Sequence, residues 1–527
     1  MTDPHLPAVK VPYGPFAHLA LRVHDLTVKG RHPEALRLAD ETEWVAALLG
    51  DESTVRMIRV GRMYAFLALG RLDEALAVGE SLVQLRDALG PRSSQAKLLA
   101  DTAEVLIRLG RIDDGLRHLA RAIAILEVAP RGTVRYVSAM SSMSDAARSA
   151  ELFEFADECA RVAIDEFSTD ELYRSAAELQ RAELLLEWGL RLEQVGRSGE
   201  ADARFRRSVA LSRHWAQFYA DEPAEEAPLA NALLALGLAK TGELDEALAI
   251  VGALLVPLRE QGQMHEARLV HLAYAVVLRG RGRLRAARRE FIAAGELADQ
   301  PDQRLICQYE LATLAVAEAE LAATCAQGEA TRIMMSTVRT QLDQMWRLRV
   351  DRRTMLRQAR RRVELEAARI HADLAASSDA LTGLGNRRLF DRHIEELDGG
   401  AVLLLVDVDR FKGINDRFSH GVGDRVLREV AAVLRAHCRV DEVAIRFGGD
   451  EFALFLRTDV CSAAVVAERI RQVIAARDWD DLAAGLRVTL SIGIAALTDG
   501  MTGRELYDHA DRHLYVAKRT GRDRVAA

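Results

Sequence analysis

The stretch RFGGDEF, residues 446–452, places two glycines and two acidic residues between apolar residues on both sides. The flanking runs EVAIRF (442–447) and FALFLR (452–457) have the composition of β-strands, so the Gly-Gly pair predicts the tip of a hairpin. Acidic residues at such a turn are often only solvated. The residues around the hairpin must therefore decide between a plain turn and a functional site.

The segments on either side of the hairpin predict an α/β sheet. AVLLLVDVD (401–409) and LRVTLSIGIAAL (486–497) have the apolar composition of strands, and three amphipathic segments at 423–438, 463–477 and 504–520 predict helices. The order β-α-β-β-α-β indicates a ferredoxin-like or palm-like sheet backed by helices. In that arrangement the end of the first strand lies beside the hairpin tip, so we expect Asp407 to meet Asp450 and Glu451.

This group of acids has the chemistry of a cation site. Carboxylates are the ligands that Mg²⁺ (or Mn²⁺) prefers, and the ion usually completes its coordination with substrate phosphates. Glycines 448 and 449 remove side chains where a base or phosphate must approach the backbone, and Lys412 and Arg446 could supply positive charge to a triphosphate. These residues by themselves predict a metal-dependent phosphoryl or nucleotidyl transferase.

Residues 379–527 resemble the GGDEF domain of the diguanylate cyclases. Five motifs occur in order: DALTGLGNRRLF (379–390), DVDRFKGINDRFSHGVGDRVL (407–427), RFGGDEF, VTLSIGIA (488–495) and ADRHLYVAKRTGRDRV (510–525). The first motif lacks the usual prolines near Ala380 and Gly385, and Ser419 replaces a glycine before His420. If position 419 needs a positive φ, serine strains the loop.

The resemblance implies that two GTP molecules condense to cyclic di-GMP, with each domain of a homodimer presenting one GTP. It implies metal binding by Asp407, Asp450 and the Val408 carbonyl, and catalytic roles for Asp450, Glu451 and Lys412. It further implies GTP binding by six residues: Phe411, Asn415, Asp424, Gly449, Lys518 and Arg522. Asn415 and Asp424 would contact the guanine edge, and Lys518 and Arg522 the β- and γ-phosphates.

Several of these residues also have structural interpretations. Phe411 and Phe452 suit core packing, Asn415 suits a helix cap, and Lys518 suits the end of a helix. The family's product-inhibition site is an RxxD pair, which here becomes Arg439 and Glu442 in RVDE. Because glutamate is one methylene longer than aspartate, the resemblance implies product inhibition in a weakened form.

A repeat precedes this domain. A glycine followed five residues later by a small residue recurs in GRHPEAL, GRLDEAL, GRIDDGL, GRSGEAD, GELDEAL and GRLRAAR, with a degenerate copy near Ala150. Glycine ends one helix, and a small residue lets the paired helices approach closely. Residues 1–325 thus resemble an all-α tetratricopeptide (TPR)-like solenoid, whose concave face is a binding surface for an unnamed protein, peptide or small molecule. A generic α-solenoid has the same architecture.

Residues 326–378 predict a helical linker. Leu356, Val363 and Ile370 lie seven residues apart, which favours a coiled-coil stalk, whereas Arg349, Arg353 and Arg360 at seam positions favour a single helix. The arginines are expected to form a solvated face.

Composition and charge argue against several classes of protein. A net charge of −7 argues against a general nucleic-acid binder, and five scattered cysteines without a CxxC pair fit reduced thiols. The N-terminus lacks the pattern of a signal peptide, and no run approaches the roughly 20 apolar residues of a membrane helix. We therefore expect a cytoplasmic, multidomain diguanylate cyclase (1–325, 326–378, 379–527) regulated through the TPR-like region. The alternative is a weak or inactive GGDEF domain that acts as a nucleotide-binding signalling or scaffold module.

Overall fold

The computed structural model describes residues 16–84, 91–166, 171–221, 227–261, 263–298, 300–321, 325–397, 400–439, 442–498 and 500–527. The chain divides into two compact units, with the boundary between Glu364 and Leu365. We call them the helical unit and the C-terminal unit. No helix in the described ranges is both long enough and apolar enough to cross a membrane.

Within the described ranges, the helical unit begins with fifteen helices that pack mainly against their neighbours in sequence. Their bounds are α1 Ala17–Val28, α2 His32–Leu48, α3 Glu52–Ala68, α4 Leu72–Gln84, α5 Arg92–Arg108, α6 Ile112–Glu127, α7 Val134–Ser149, α8 Phe153–Glu166, α9 Glu171–Gln194, α10 Ser198–Asp221, α11 Ala227–Thr241, α12 Leu244–Gln261, α13 Met264–Gly280, α14 Leu284–Glu296 and α15 Pro301–Leu321.

The repeated glycines end helices as predicted. Their φ values lie between +69° and +93°, which is the left-handed region of the backbone. Glycine adopts this region at little cost, whereas other residues are strained there. The six glycines are Gly30, Gly70, Gly110, Gly196, Gly242 and Gly282. The alanines five residues later are buried, and at Gly115 an added Cβ would lie 2.6 Å from the Ile107 side chain. Small residues thus bring consecutive helices together, while the name tetratricopeptide stays a prediction.

The degenerate copy departs from the repeat at one informative position. Glu151 follows α7 where the other copies have their glycine, and its φ is +58°. Its amide donates to the Arg148 carbonyl, just as the Gly110 amide donates to Ile107. The left-handed backbone conformation therefore costs Glu151 about 1 kcal/mol more than it would cost a glycine.

A single long helix, α16 (Cys325–Ala376), corresponds to the predicted linker, and the boundary between the units falls within it. Its earlier part packs inside the helical unit: Leu342, Trp346 and Leu356 are buried, and Trp346 stacks on Phe153 with ring centroids 6.3 Å apart. Part of the apolar face of α16 is therefore covered by residues of the same chain, whereas Ile370 on this helix is 60% exposed. Pairing of two chains through this helix remains a prediction.

Arginines of α16 make ion pairs with the helical unit rather than forming only a solvated face. Arg349 pairs with Glu154 at 3.0 Å and Arg360 with Glu127 at 2.7 Å. Arg352 donates to the Ala150 carbonyl at 3.0 Å. The expectation of a fully solvated arginine face is therefore wrong for these residues, because the ends of α6 and α7 and the first turn of α8 present acceptors to this helix.

The C-terminal unit has the predicted β-α-β-β-α-β order within a mixed five-stranded sheet, β2-β3-β1-β4-β5. Its elements after α16 are α17 Arg387–Glu395, β1 Ala401–Val408, α18 Phe411–Phe418, α19 His420–Ala436, β2 Val443–Arg446, β3 Glu451–Arg457, α20 Val460–Ala476, β4 Leu490–Ala496, α21 Gly503–Arg519 and β5 Arg524–Ala526. The short helix α18 and the parallel edge strand β5 were not predicted.

Strand β1 is buried along its whole length because the sheet is covered on both faces. One face packs on α19 and α20 through residues such as Val406, Val426 and Ile470, and the other packs on α17 and α21. The central position of β1 fixes where its last acidic residues emerge.

Candidate active site

Strand register brings the predicted acids together. β1 and β3 are antiparallel, with Asp407 directly opposite Glu451, and the Val408 amide donates to the Asp450 carbonyl at 3.1 Å. Directly opposed residues have Cβ atoms about 5 Å apart. The end of β1 and the hairpin tip therefore form one acidic edge, as the sequence predicted.

The tip itself is braced by Arg446. Its guanidinium donates to the Gly449 carbonyl at 2.7 Å and pairs with Asp379 at 3.2 Å. The expectation that Arg446 supplies charge to a triphosphate is therefore not supported, because the turn and Asp379 already use this group. An added Cβ would meet nothing within 4 Å at Gly449, which leaves open space there, whereas at Gly448 it would lie 3.0 Å from the Glu451 carboxylate.

The first motif anchors the hairpin edge and the end of α16. The Gly385 amide donates to the Ala444 carbonyl of β2, and the Asn386 side chain donates to the Ala376 carbonyl at 2.7 Å. Burial alone would raise the pKa of Asp379, but hydrogen bonds from Thr382 and Arg446 hold it below its usual value. The last turn of α16 is thus fastened to the loop that braces the tip.

Asp407 is the most buried carboxylate of the edge, at 8% exposure. Its Oδ2 accepts from Lys518 Nζ at 2.6 Å. Burial raises the pKa of Asp407 to about 6 despite this ion pair, and the nearby charges of Asp450 and Glu451 raise it further. Lys518 thus supplies a cation to Asp407 on the acidic edge, and its predicted contact with phosphates stays a prediction.

Asp409 is a structural residue that sequence reasoning did not single out. Its buried carboxylate accepts from Ser491 Oγ at 2.6 Å, from Thr489 Oγ1 at 2.7 Å and from the Asp523 amide at 3.0 Å. These bonds hold β4 and the C-terminal segment beside β1. They position the loop that carries Arg522, which is exposed and has a φ of +64°. The sequence signal that could have identified Asp409 is its place as the second acid of the triplet DVD, residues 407–409.

Asn415 has an unsatisfied acceptor. Its Oδ1 is buried and lacks a hydrogen-bond partner in the described part of the chain. A Cβ at Gly423 would lie 1.9 Å from this oxygen, so only glycine permits the approach. Asp424, the next residue of α19, is exposed, and Phe411 is half-buried against the core. Asn415 does not cap α19, whose N-cap is Ser419.

The loop between α18 and α19 is strained as predicted. Ser419 has φ +104° and ψ +157°, a region that is almost restricted to glycine. Lys412 is exposed on the first turn of α18, at the same end of the sheet as Asp407.

Comparison with known proteins agrees with this architecture. Residues 376–524 match the family described as diguanylate cyclase, GGDEF domain. These residues form a GGDEF domain. The match begins at the last residue of α16 and includes every element of the site.

Among its relatives, the chain is similar to diguanylate cyclase DgcP of Pseudomonas aeruginosa, with 39% identity over 31% of this chain and 26% of the relative. Diguanylate cyclase DgcS of Shewanella oneidensis is 33% identical over 28% of this chain and 52% of the relative. The chain thus spans about a quarter to a half of these relatives' length. A solved structure of the coiled coil and GGDEF domain of DgcB from Caulobacter crescentus, in complex with c-di-GMP, is 34% identical, covers 32% of this chain and 97% of that chain, and has a TM-score of 0.29.

The RVDE segment of the GGDEF domain is only partly available for a ligand. The Arg439 side chain is exposed, but both oxygens of Glu442 accept from backbone amides, from Arg439 at 2.8 Å and from Arg457 at 3.3 Å. Asp441 lies outside the described residues. Glu442 therefore stabilises the turn before β2, which its extra methylene allows it to reach.

Proposed function

We propose that the GGDEF domain condenses two GTP molecules into cyclic di-GMP with release of two diphosphates. The observation that carries this proposal is the acidic edge, where strand register places Asp407 opposite Glu451 and beside Asp450. Single acids at turns are common, but a buried strand that ends against an acidic hairpin tip concentrates negative charge at one place. That concentration is disfavoured unless a cation or a reaction uses it.

The edge fits a divalent cation, Mg²⁺ or Mn²⁺. Burial and neighbouring acids raise the pKa of Asp407, so a cation here would relieve unfavourable charge. In the described ranges no three His, Cys, Asp or Glu side chains stand together as a complete metal site. Asp407, Asp450 and the Val408 carbonyl would hold the ion with help from substrate oxygens, which is usual for Mg²⁺. When bound, the ion neutralises charge that develops on the phosphates.

The protein's own residues orient and activate the nucleotide. Asp450 accepts the proton of the ribose 3′-hydroxyl that attacks the α-phosphate, and Glu451 supports the acidic edge beside it. Exposed Lys412 stabilises the negative charge of the transition state. Lys518, which pairs with Asp407, and the exposed Arg522 would bind the β- and γ-phosphates. The open space at Gly449 leaves room for the nucleotide backbone.

Base recognition rests on Asn415 and Asp424. The buried Oδ1 of Asn415 lacks a partner, and guanine offers it an N–H donor. Asp424 accepts from the N1–H and 2-amino groups of guanine, which adenine lacks in this pattern. Phe411 supports the site by packing on the core next to Gly423.

Catalysis requires a second copy of the chain, since each domain presents one GTP. Activity per protomer should therefore rise with protein concentration and then level off. A specific rate that stays flat down to a demonstrably monomeric concentration would contradict this requirement.

The TPR-like helical unit regulates the domain through α16. Ion pairs of Arg349 and Arg352 hold this helix on the helical unit, and Asn386 fastens its last turn to the loop bracing the tip. A protein, peptide or small molecule at the helical unit can thus act on the domain through one continuous helix. Replacing Arg349 and Arg352 together by alanine should change GTP turnover about twofold or more. Arg347→Ala, on the exposed side of α16, should leave turnover unchanged.

The decisive experiment incubates the purified full chain with GTP and Mg²⁺ or Mn²⁺ and identifies the product by mass. Cyclic di-GMP with two equivalents of diphosphate is the expected result. Binding of GTP without any product would instead favour the alternative, a nucleotide-binding module that does not turn over its ligand.

A further inference from the structure

The loop that follows α21 has an uncommon backbone conformation. Three consecutive residues have positive φ: Gly521 at +132°, Arg522 at +64° and Asp523 at +45°. Glycine adopts such values freely and aspartate tolerates them, whereas a long side chain such as arginine is strained there. A strained residue keeps such a conformation only where the surrounding structure imposes it. The contacts of this loop show how the conformation is imposed.

Both sides of the loop are fixed near the acidic edge. Before the loop, Lys518 at the end of α21 lies 2.6 Å from Asp407. After it, the Asp523 amide donates to the Asp409 carboxylate at 3.0 Å. Arg522 therefore lies between two residues that are held at the end of β1. Its side chain is exposed and makes no hydrogen bond or ion pair within the part of the chain that the structure describes.

A further contact to the loop comes from Arg471 on α20. Its Nη1 donates to Asp523 Oδ1 at 2.6 Å. Its Nε and Nη2 donate to the two oxygens of Glu468, one turn earlier on the same helix, at 2.9 Å and 2.7 Å. Only 18% of the Arg471 side chain is exposed. Because the planar guanidinium is engaged on both sides, it holds the Asp523 carboxylate in one direction.

These contacts do more than attach the last strand. β5 already pairs with β4 through its own backbone, from Ser491 opposite Arg524 to Gly493 opposite Ala526. The strained residues lie before this strand, where the exposed Arg522 is presented. Backbone strain that is held in place beside an unpaired cation is typical of a binding position.

We propose that Arg471 is a positioning residue for GTP, because through Asp523 it holds the backbone that presents the Arg522 guanidinium to the β- and γ-phosphates. The inference rests on the proposed function, in which Arg522 binds these phosphates. Arg471 acts through Asp523 and does not itself touch the nucleotide. Without this contact, Arg522 must be ordered when GTP binds, and that ordering weakens the binding. The loss is confined to nucleotides that carry β- and γ-phosphates.

The test measures the binding of two nucleotides to the full chain by calorimetry in the presence of Mg²⁺. One is 3′-deoxy-GTP, which lacks the attacking hydroxyl and is therefore not turned over. The other is 3′-deoxy-GMP, which also lacks the β- and γ-phosphates. Arg471→Ala should weaken binding of the triphosphate roughly fivefold and change that of the monophosphate by less than about twofold. Arg522→Ala should weaken triphosphate binding by about tenfold or more, because it removes the phosphate contact itself.

The double variant separates positioning from a general structural role. If Arg471 acts through Arg522, then adding Arg471→Ala to Arg522→Ala should weaken triphosphate binding by less than about twofold. Steady-state kinetics should agree, with a KM for GTP that rises in Arg471→Ala while kcat changes less. A smaller fraction of folded protein would instead lower kcat and leave KM unchanged.

Other variants provide the rescue and the control. Arg471→Lys keeps the charge without the planar fork and should retain part of the triphosphate binding. Asp523→Asn breaks the ion pair from its other side with a residue that tolerates positive φ, so it should weaken triphosphate binding in the same way even if Arg471→Ala folds poorly. Arg469→Ala is the matched control and should bind as the wild type does, since Arg469 is an exposed residue of α20 without a polar contact among the described residues.

The proposal is overturned if Arg471→Ala leaves triphosphate binding unchanged, weakens both nucleotides equally, or has its full effect in the Arg522→Ala background. Equal affinity of the wild type for both nucleotides overturns it together with the phosphate role of Arg522. By contrast, a wild type that prefers the triphosphate yet forms no cyclic di-GMP overturns the proposed cyclase activity alone, because the binding comparison does not depend on turnover.

Discussion

Both units of the chain bring several acidic residues together, yet these acids have different neighbours in the two units. In the GGDEF domain, Asp407 pairs with Lys518 and lies beside Asp450 and Glu451 at the edge of a sheet. In the helical unit, acids that line one cavity are instead paired with arginines: Glu183 with Arg148 at 2.9 Å and Glu151 with Arg191 at 3.4 Å.

This difference shows that surplus charge, rather than the number of acids, indicates what a site accepts. A surplus of acids at an open edge suits a cation that brings a polyphosphate with it. Acids that are matched by arginines instead hold neighbouring helices together. The predictions below test the two environments separately.

The largest effect is expected at the acidic edge. Asp450→Asn should lower GTP turnover by roughly 100-fold or more, because it removes both a cation ligand and the acceptor of the 3′-hydroxyl proton. Steady-state formation of cyclic di-GMP measures this, with circular dichroism as the check on folding. Asp391→Asn, an exposed acid on α17, is the matched control. A variant that keeps more than a tenth of the rate would remove Asp450 from this role.

The second-largest effect is expected on the choice between GTP and ATP. We expect the wild type to prefer GTP over ATP by at least about tenfold, since adenine leaves the Asp424 carboxylate facing a lone pair. Asp424→Ser should relax this preference and give some mixed cyclic dinucleotide in a GTP–ATP competition analysed by mass. Asp416→Ser on neighbouring α18 should behave like the wild type. Mixed product from the wild type at comparable rates would contradict base reading by Asp424.

The smallest effect concerns backbone strain at the active-site loop. Ser419→Gly should stabilise the GGDEF domain by about 1 kcal/mol, because glycine adopts φ +104° without strain. Hydrogen exchange resolved to residues 411–436 measures the local change.

Glu151→Gly provides the contrasting case in the helical unit. It also relieves a positive φ, but it removes the carboxylate that holds Arg191 and Arg352. We expect no gain in stability there. Equal stabilisation by both substitutions would show that the Glu151 contacts contribute nothing.

Much of the fold could be predicted because the signals are local. Glycines that end helices at positive φ, alternation of apolar residues and the Gly-Gly tip each depend on neighbours in sequence. The strain at Ser419 followed from the family resemblance, and the meeting of Asp407 with Glu451 followed from the predicted strand order. Helix α18, only eight residues long, and β5, only three, were missed because such short elements carry little periodicity.

The amino-acid sequence alone determined the order of the elements, the family resemblance and the identity of the acidic residues at the edge. Only the tertiary structure decided the partners of individual side chains: Arg446 on Asp379, Lys518 on Asp407, and the two oxygens of Glu442 on backbone amides. The physical reason is that such pairings depend on the packing of segments distant in the chain, and charge energies there depend on burial, which no local pattern encodes.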